Sequence, residues 1–172
     1  MSRTSKGYTL VEMLVYIALI ALLFSALAAA VSQISKSERR ARAFLDINSA
    51  AISAFSRFSR DIRRATSIDI VNSTLSASSG KLALIMKNAD GTSSTTKFYL
   101  SADGMVKVEQ DGVYAGSVTS DNMQVSNLTF WKFSQASTTA VRIEMTLAPD
   151  ASTTVPALNF YGTYVLRGSY LE

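Results

Sequence analysis

The sequence predicts an α+β protein in which one long N-terminal helix, membrane-spanning in its first half, packs against a mainly antiparallel sheet. Three observations predict it. Residues 13–31 form a nearly unbroken apolar run, no Gly or Pro occurs between Tyr8 and Gly80, and six short apolar runs fill the second half between Asp-Gly turn signals. Of the 172 residues, 48% are hydrophobic and 17% charged, against about 25% charged in an average soluble domain. There is no His and no Cys. That excludes a Cys nucleophile, a Ser–His pair, a thiolate zinc site and any disulfide, and leaves only oxygen ligands for a metal. The composition argues against an enzyme, so no catalytic residue, metal or cofactor is assigned. The formal charge of 17 − 13 = +4 admits a phosphate-rich partner.

In MLVYIALIALLFSALAAAV, residues 13–31, Ser25 is the only clearly polar residue. As a helix the run spans about 28 Å, close to the roughly 30 Å of a hydrocarbon core. A secretory signal peptide offers a simpler reading, with Arg3 and Lys6 as its basic start and Ala26-Leu27-Ala28 as its cleavage site. Glu12 at the edge of the apolar block counts against it, as does the helical pattern that continues well past Ala28. Beyond residue 31 the pattern becomes amphipathic. At 100° per residue, Ile34, Ala41, Phe44, Leu45, Ala51, Ile52, Phe55, Phe58 and Ile62 share one broad face. Lys36, Arg39, Arg42, Asp46, Arg57, Arg60, Asp61 and Arg64 lie opposite. Glu38–Arg42, Arg42–Asp46 and Arg57–Asp61 fall at i, i+4. The polar Thr66-Ser67 ends the helix near residue 66.

Residues 66–80 are rich in Ser and Thr and read as a linker or irregular loop. Strands are expected over 82–86, 97–100, 105–109, 125–133, 141–147 and 157–166, with turns at Asp90-Gly91, Asp103-Gly104 and Asp111-Gly112. Val141, Ile143, Met145 and Leu147 alternate with Arg142, Glu144 and Thr146, the period-two signature of a strand with one buried face. Pro149 and Pro156 punctuate the loop before the last strand. Asp103, Glu109, Asp111 and Asp121 could offer oxygens to Ca²⁺, but no dense acidic loop is present and turn roles fit better. Trp131, Phe133, Tyr161 and Tyr164 read as core and edge residues of the sheet rather than a binding patch.

The segment Lys6-Gly7-Tyr8-Thr9-Leu10-Val11-Glu12, followed by the apolar helix, resembles the cleavage and methylation signal of type IV pilins and pseudopilins. Basic residues, Gly, an aromatic, an acid and an apolar run stand in the order of that signal, with Tyr8 where the family usually has Phe. The resemblance implies a leader over residues 1–7, a transmembrane and assembly half-helix over 8–31, an amphipathic half over 32–66 and a β-rich head over 67–172. It implies that a prepilin peptidase cuts between Gly7 and Tyr8 and that the Tyr8 amine is methylated. It further implies that Glu12 pairs with a neighbouring subunit's N-terminus during fibre assembly. The partners would be other pilin or pseudopilin subunits, the prepilin peptidase, an inner-membrane assembly platform and membrane lipid. The protein would be a single-pass protein of the bacterial inner membrane, N-terminus cytoplasmic and head periplasmic, before entering the fibre. Flanking charge taken alone favours the opposite orientation, since Lys36, Arg39, Arg40 and Arg42 follow the span.

Patches of the second half, among them Arg60-Asp61-Ile62-Arg63-Arg64-Ala65 and Val141-Arg142-Ile143-Glu144-Met145, resemble J-type minor pseudopilins of type II secretion and related minor pilins. Ala28-Ala29-Ala30 stands where major pilins commonly carry a helix Pro, and their C-terminal disulfide loop is impossible without Cys. Both departures fit a minor subunit. Arg57, Arg60 and Arg64 on the basic helix face are candidate contacts to DNA or to another subunit; their interleaving with acids favours a solvated or inter-subunit face, and the alternative function is a competence-type minor pilin that binds DNA there.

Overall fold

The computed structural model describes residues 7, 9–88, 90–135, 138–149 and 155–167. It divides into two compact units, Met1–Ala41 and Arg42–Glu172, and a single helix, α1 (Leu10–Arg64), runs through both.

In the first unit α1 is apolar all round from Met13 to Val31, Ser25 apart. Its side chains are exposed from Leu10 (80%) to Val31 (62%), and a window of α1 is long and apolar enough to cross a membrane, with none of it buried inside the protein. A helix exposing this much apolar surface has no partner in water, whereas in lipid it needs none. The lone polar residue of the run is satisfied within the helix, since the Ser25 hydroxyl donates to the Leu22 carbonyl at 2.8 Å.

The second unit begins with the last turns of α1 and continues into two antiparallel sheets. The first has the order β1 (Ser67–Ile68), β2 (Lys81–Lys87), β3 (Ser93–Leu100), β4 (Val106–Gln110) and β5 (Val113–Ser117). The second holds β6 (Met123–Gln135), β7 (Thr138–Pro149) and β8 (Leu158–Val165). Within each sheet every strand pairs antiparallel with its neighbour in sequence. All three predicted Asp-Gly turns are present. At the β4–β5 turn, Asp111 (φ 51°) and Gly112 (φ 80°) both take the left-handed conformation that a two-residue hairpin matching strand twist requires.

Arg42–Arg64 packs on these sheets through Ala43, Ile47, Ala51, Ala54, Phe58 and Ile62, spaced three or four apart. The small Ala43, Ala51 and Ala54 allow close approach, and Phe58 fills the centre. Its ring meets Phe98 of β3 edge-on at 5.0 Å and Phe130 of β6 at 6.0 Å, so one side chain packs on both sheets. In β7, Val141, Ile143, Met145 and Leu147 are buried and alternate with exposed Arg142 and half-buried Glu144 and Thr146, as predicted.

Four expectations are corrected. The buried helix face is narrower and rotated: Ile34, Leu45 and Ile52 are 67–70% exposed, while Ala43, Ile47 and Ala54, which were not placed on it, are buried. Asp61, assigned to the solvated face, is only 5% exposed. One sheet becomes two, because β5 and β6 do not pair, and β1 and β5 form the edges of the first sheet with short or exposed sequences that carry no apolar run. The stretch 66–80, expected as a linker or irregular loop, holds the short strand β1 and is otherwise an ordered loop. Ser73 Oγ donates to the Asp69 carbonyl and accepts from the Ala83 amide, and the loop caps β6 where the Ser76 and Gly80 amides donate to the Phe130 and Leu128 carbonyls.

Candidate functional site

Gly7, at the predicted cleavage junction, is exposed, and a side chain added there would meet nothing within 4 Å. Tyr8, the other half of the junction and the predicted methylation site, lies outside the described residues, as do Arg3 and Lys6. Thr9 then starts the helix. Its hydroxyl accepts from the Glu12 amide at 3.3 Å and its carbonyl accepts from the Met13 amide at 3.2 Å, the bonding of an N-cap residue. Leu10 is therefore the first helical residue and Glu12 the third. The Glu12 side chain is exposed in the first turn, at the positive end of the helix dipole, a placement that favours a carboxylate by about 0.3–1 kcal/mol. The sequence contained this cap as the spacing Thr9-x-x-Glu12, a capping-box pattern that the reading by membrane charge alone passed over.

Residues 2–28 match the family described as the prokaryotic N-terminal methylation motif. The chain thus carries a type IV pilin-like prepilin signal. Joined to an α+β architecture in which a long N-terminal helix packs on antiparallel sheets, the signal supports a type IV pilin-like or pseudopilin subunit, with the apolar helix fitting its single-pass membrane anchor. Such a signal belongs to structural subunits that assemble with other pilin subunits after processing by a prepilin peptidase. No curated protein and no solved structure matches the chain.

The second predicted cluster is brought together. Arg57, Arg60 and Arg64 line one cleft of about 430 Å³ with Asp61, with Met86 and Gln110 from the first sheet, and with Asn88 from the turn after β2. Asp61 bonds Arg57 Nε at 2.6 Å and lies 3.5 Å from Arg60 Nε, so two guanidinium groups satisfy a carboxylate that would otherwise be costly to bury. The i, i+4 spacing of Arg57 and Asp61 signalled the pair in sequence. Nothing in sequence signalled Asn88 and Gln110, which reach the cleft through strand pairing.

Three of the four acids weighed as calcium ligands, Asp103, Glu109 and Asp111, are engaged elsewhere. Lys107 beside Asp103 holds its carboxyl down at about 2, helped by Ser101. Glu109 lies 3.1 Å from Lys97, which keeps its carboxyl below the usual range. Asp111 accepts from the Thr95 amide at 2.7 Å. Among the described residues no group of three acids is placed to hold a metal. Trp131 (37%), Phe133 (52%) and Tyr161 (60%) are exposed rather than core, and Tyr164 alone of the four packs against the core. The β6 bulge between Val125 and Asn127 explains part of this. It shifts the buried set from Met123 and Val125 to Leu128 and Phe130, which turns Trp131 outward.

Proposed function

We propose that this protein is a minor subunit of a type IV pilus-like or type II secretion fibre. A prepilin peptidase removes residues 1–7, the new Tyr8 amine is methylated, and residues 8–31 anchor the chain in the bacterial inner membrane until assembly. The N-terminus faces the cytoplasm and the head, residues 67–172, lies outside. In the fibre, the Glu12 carboxylate pairs with the N-terminal amine of a neighbouring subunit. The observation that carries the reading is the methylation motif at residues 2–28, which extends into the apolar stretch of α1, a window with none of it buried inside the protein. The minor assignment is supported by an α1 that holds no Pro and by a chain with no Cys for a C-terminal disulfide loop. Such a subunit works by packing and charge pairing, with no substrate turned over.

Intact-mass analysis of protein extracted from membranes tests the processing. The expected product lacks seven residues and carries one methyl group on the amine. Full-length chain from cells with an active prepilin peptidase, or a start near Ala29, would refute it.

A further inference from the structure

The cleft beside Arg57, Arg60 and Arg64 holds more positive charge than the described residues neutralise. Three arginines fall within two helical turns, opposed by Asp61 and, across the cleft, Asp111. The local formal charge is 3 − 2 = +1. Asp61 engages the Nε edges of Arg57 and Arg60. Arg64 has no ion pair or hydrogen bond to any described residue. The opposite wall offers the neutral amides of Asn88 and Gln110.

We propose that this cleft binds the carboxylate of an acidic side chain presented by a partner protein. One carboxylate brings the cluster to neutrality, and the planar guanidinium fork suits its two oxygens. The neutral amides add hydrogen bonds without adding charge. The size of the cleft, about 430 Å³, suits a side chain rather than a nucleic-acid duplex. A local charge of +1 also disfavours a polyanion, whose affinity rests on many neutralised phosphates. The proposal deepens the fibre-subunit reading by making a neighbouring subunit the source of the acid. The binding step itself does not depend on processing at Gly7.

The test uses the full chain in non-ionic detergent micelles, with arginine side chains labelled for NMR. A capped Gly-Glu-Glu-Gly peptide should shift the Nε–H signals of Arg57, Arg60 and Arg64 saturably, and its Gln counterpart should not. Arg64→Ala should weaken binding about tenfold, Arg64→Lys should recover only part of it, and Asp111→Asn should tighten it. Arg60 and Arg64 are exposed, so their replacement should leave Trp131 fluorescence and the remaining arginine signals unchanged. The proposal is overturned by equal shifts with the Gln peptide, by no saturable shift, or by unaltered affinity in Arg64→Ala. Inorganic phosphate binding more tightly than the peptide would also overturn it. So would an oligodeoxynucleotide binding more tightly with a steep salt dependence, which would assign the cleft to phosphodiesters. Because none of these results turns on leader removal, a failure here is distinguishable from a failure of the processing reading.

Discussion

Replacing Phe58 with Ala tests the packing of the second unit at its centre. The side chain is fully buried, and its ring makes edge-on contacts with Phe55, Phe98 and Phe130 at 5.0–6.0 Å. Phe→Ala in a core costs about 3–5 kcal/mol, and an edge-to-face pair adds roughly 0.5–1.5 kcal/mol beyond burial. Two of the three partner rings, Phe98 and Phe130, are themselves fully buried and on different sheets, so neither can collapse freely into the cavity. The loss should therefore lie near the top of the range, about 4–5 kcal/mol. For a unit of this size that is a fall in Tm of roughly 10–18 °C. Trp131, the only Trp, sits on β6 beside Phe130 and reports the transition in urea. The midpoint should fall with the slope unchanged. Phe44→Ala, at a position 39% exposed, should cost less than about 1.5 kcal/mol. A Phe58→Ala loss below about 2 kcal/mol, or an equal effect at Phe44, would refute a core centred on Phe58.

Gly162→Ala should destabilise by about 1–3 kcal/mol, because the added Cβ would lie 2.7 Å from the Phe55 ring and 3.0 Å from the Tyr164 hydroxyl; the same substitution in a Phe55→Leu chain should cost clearly less in a double-mutant cycle. Asp103 should titrate near 2 by carboxyl NMR and return towards the ordinary aspartate range in Lys107→Ala. As a depressed carboxylate, it contributes stability that is complete above its unfolded value of 3.8 and is lost as pH falls towards 2. Glu12→Ala should leave membrane level unchanged or slightly raised and lower co-purification with partner subunits and piliation or secretion; unaltered assembly would show that Glu12 is only an interfacial acid.

The helix, the turns and the strand β7 were legible in sequence because each is fixed by local chemistry. An apolar run without Gly or Pro leaves the backbone no alternative in lipid, and Asp-Gly fixes a hairpin wherever it falls between apolar stretches. The buried helix face was less legible because hydrophobicity and burial separated. Leu45 and Ile52 are apolar and exposed, whereas Asp61 is polar and buried. Selection of Ala43, Ala51 and Ala54 for the interface reflects close approach to the sheets, which periodicity cannot rank above a larger aliphatic. The edge strand β5 carries Val113 and Tyr114 with both exposed, so its membership in a sheet rests on backbone pairing with β4 and leaves little hydrophobic trace. Of the candidate sites, the basic cluster was legible along its helix and illegible across the cleft. Order along one helix is a matter of spacing, but meeting Asn88 and Gln110 depends on the pairing of β2, β3 and β4.

Glu12 shows how far the isolated chain explains its own sequence. The Thr9 cap and the helix dipole each favour an acid at this position, but the dipole contributes only about 0.3–1 kcal/mol. Holding an ionised carboxylate at the edge of a hydrocarbon core costs a few kcal/mol unless it reaches water or a cation. The local terms therefore do not offset the membrane term, and a chain selected only to anchor this helix in a bilayer would carry Ser, Gln or a small apolar residue there instead. In the exposed first turn of a lone subunit, water at the headgroups supplies the missing stabilisation. Inside a bundle of apolar helices that water is excluded, and an unpaired carboxylate becomes still more costly. A cation at the same depth reverses the sign, and in the fibre proposed above a neighbour's N-terminal amine supplies it. Methylation suits that role, since a methylated amine keeps its charge. In that proposed fibre the acid would disfavour packed states in which the amine is out of register, and so would give a featureless apolar helix one fixed position against its neighbour.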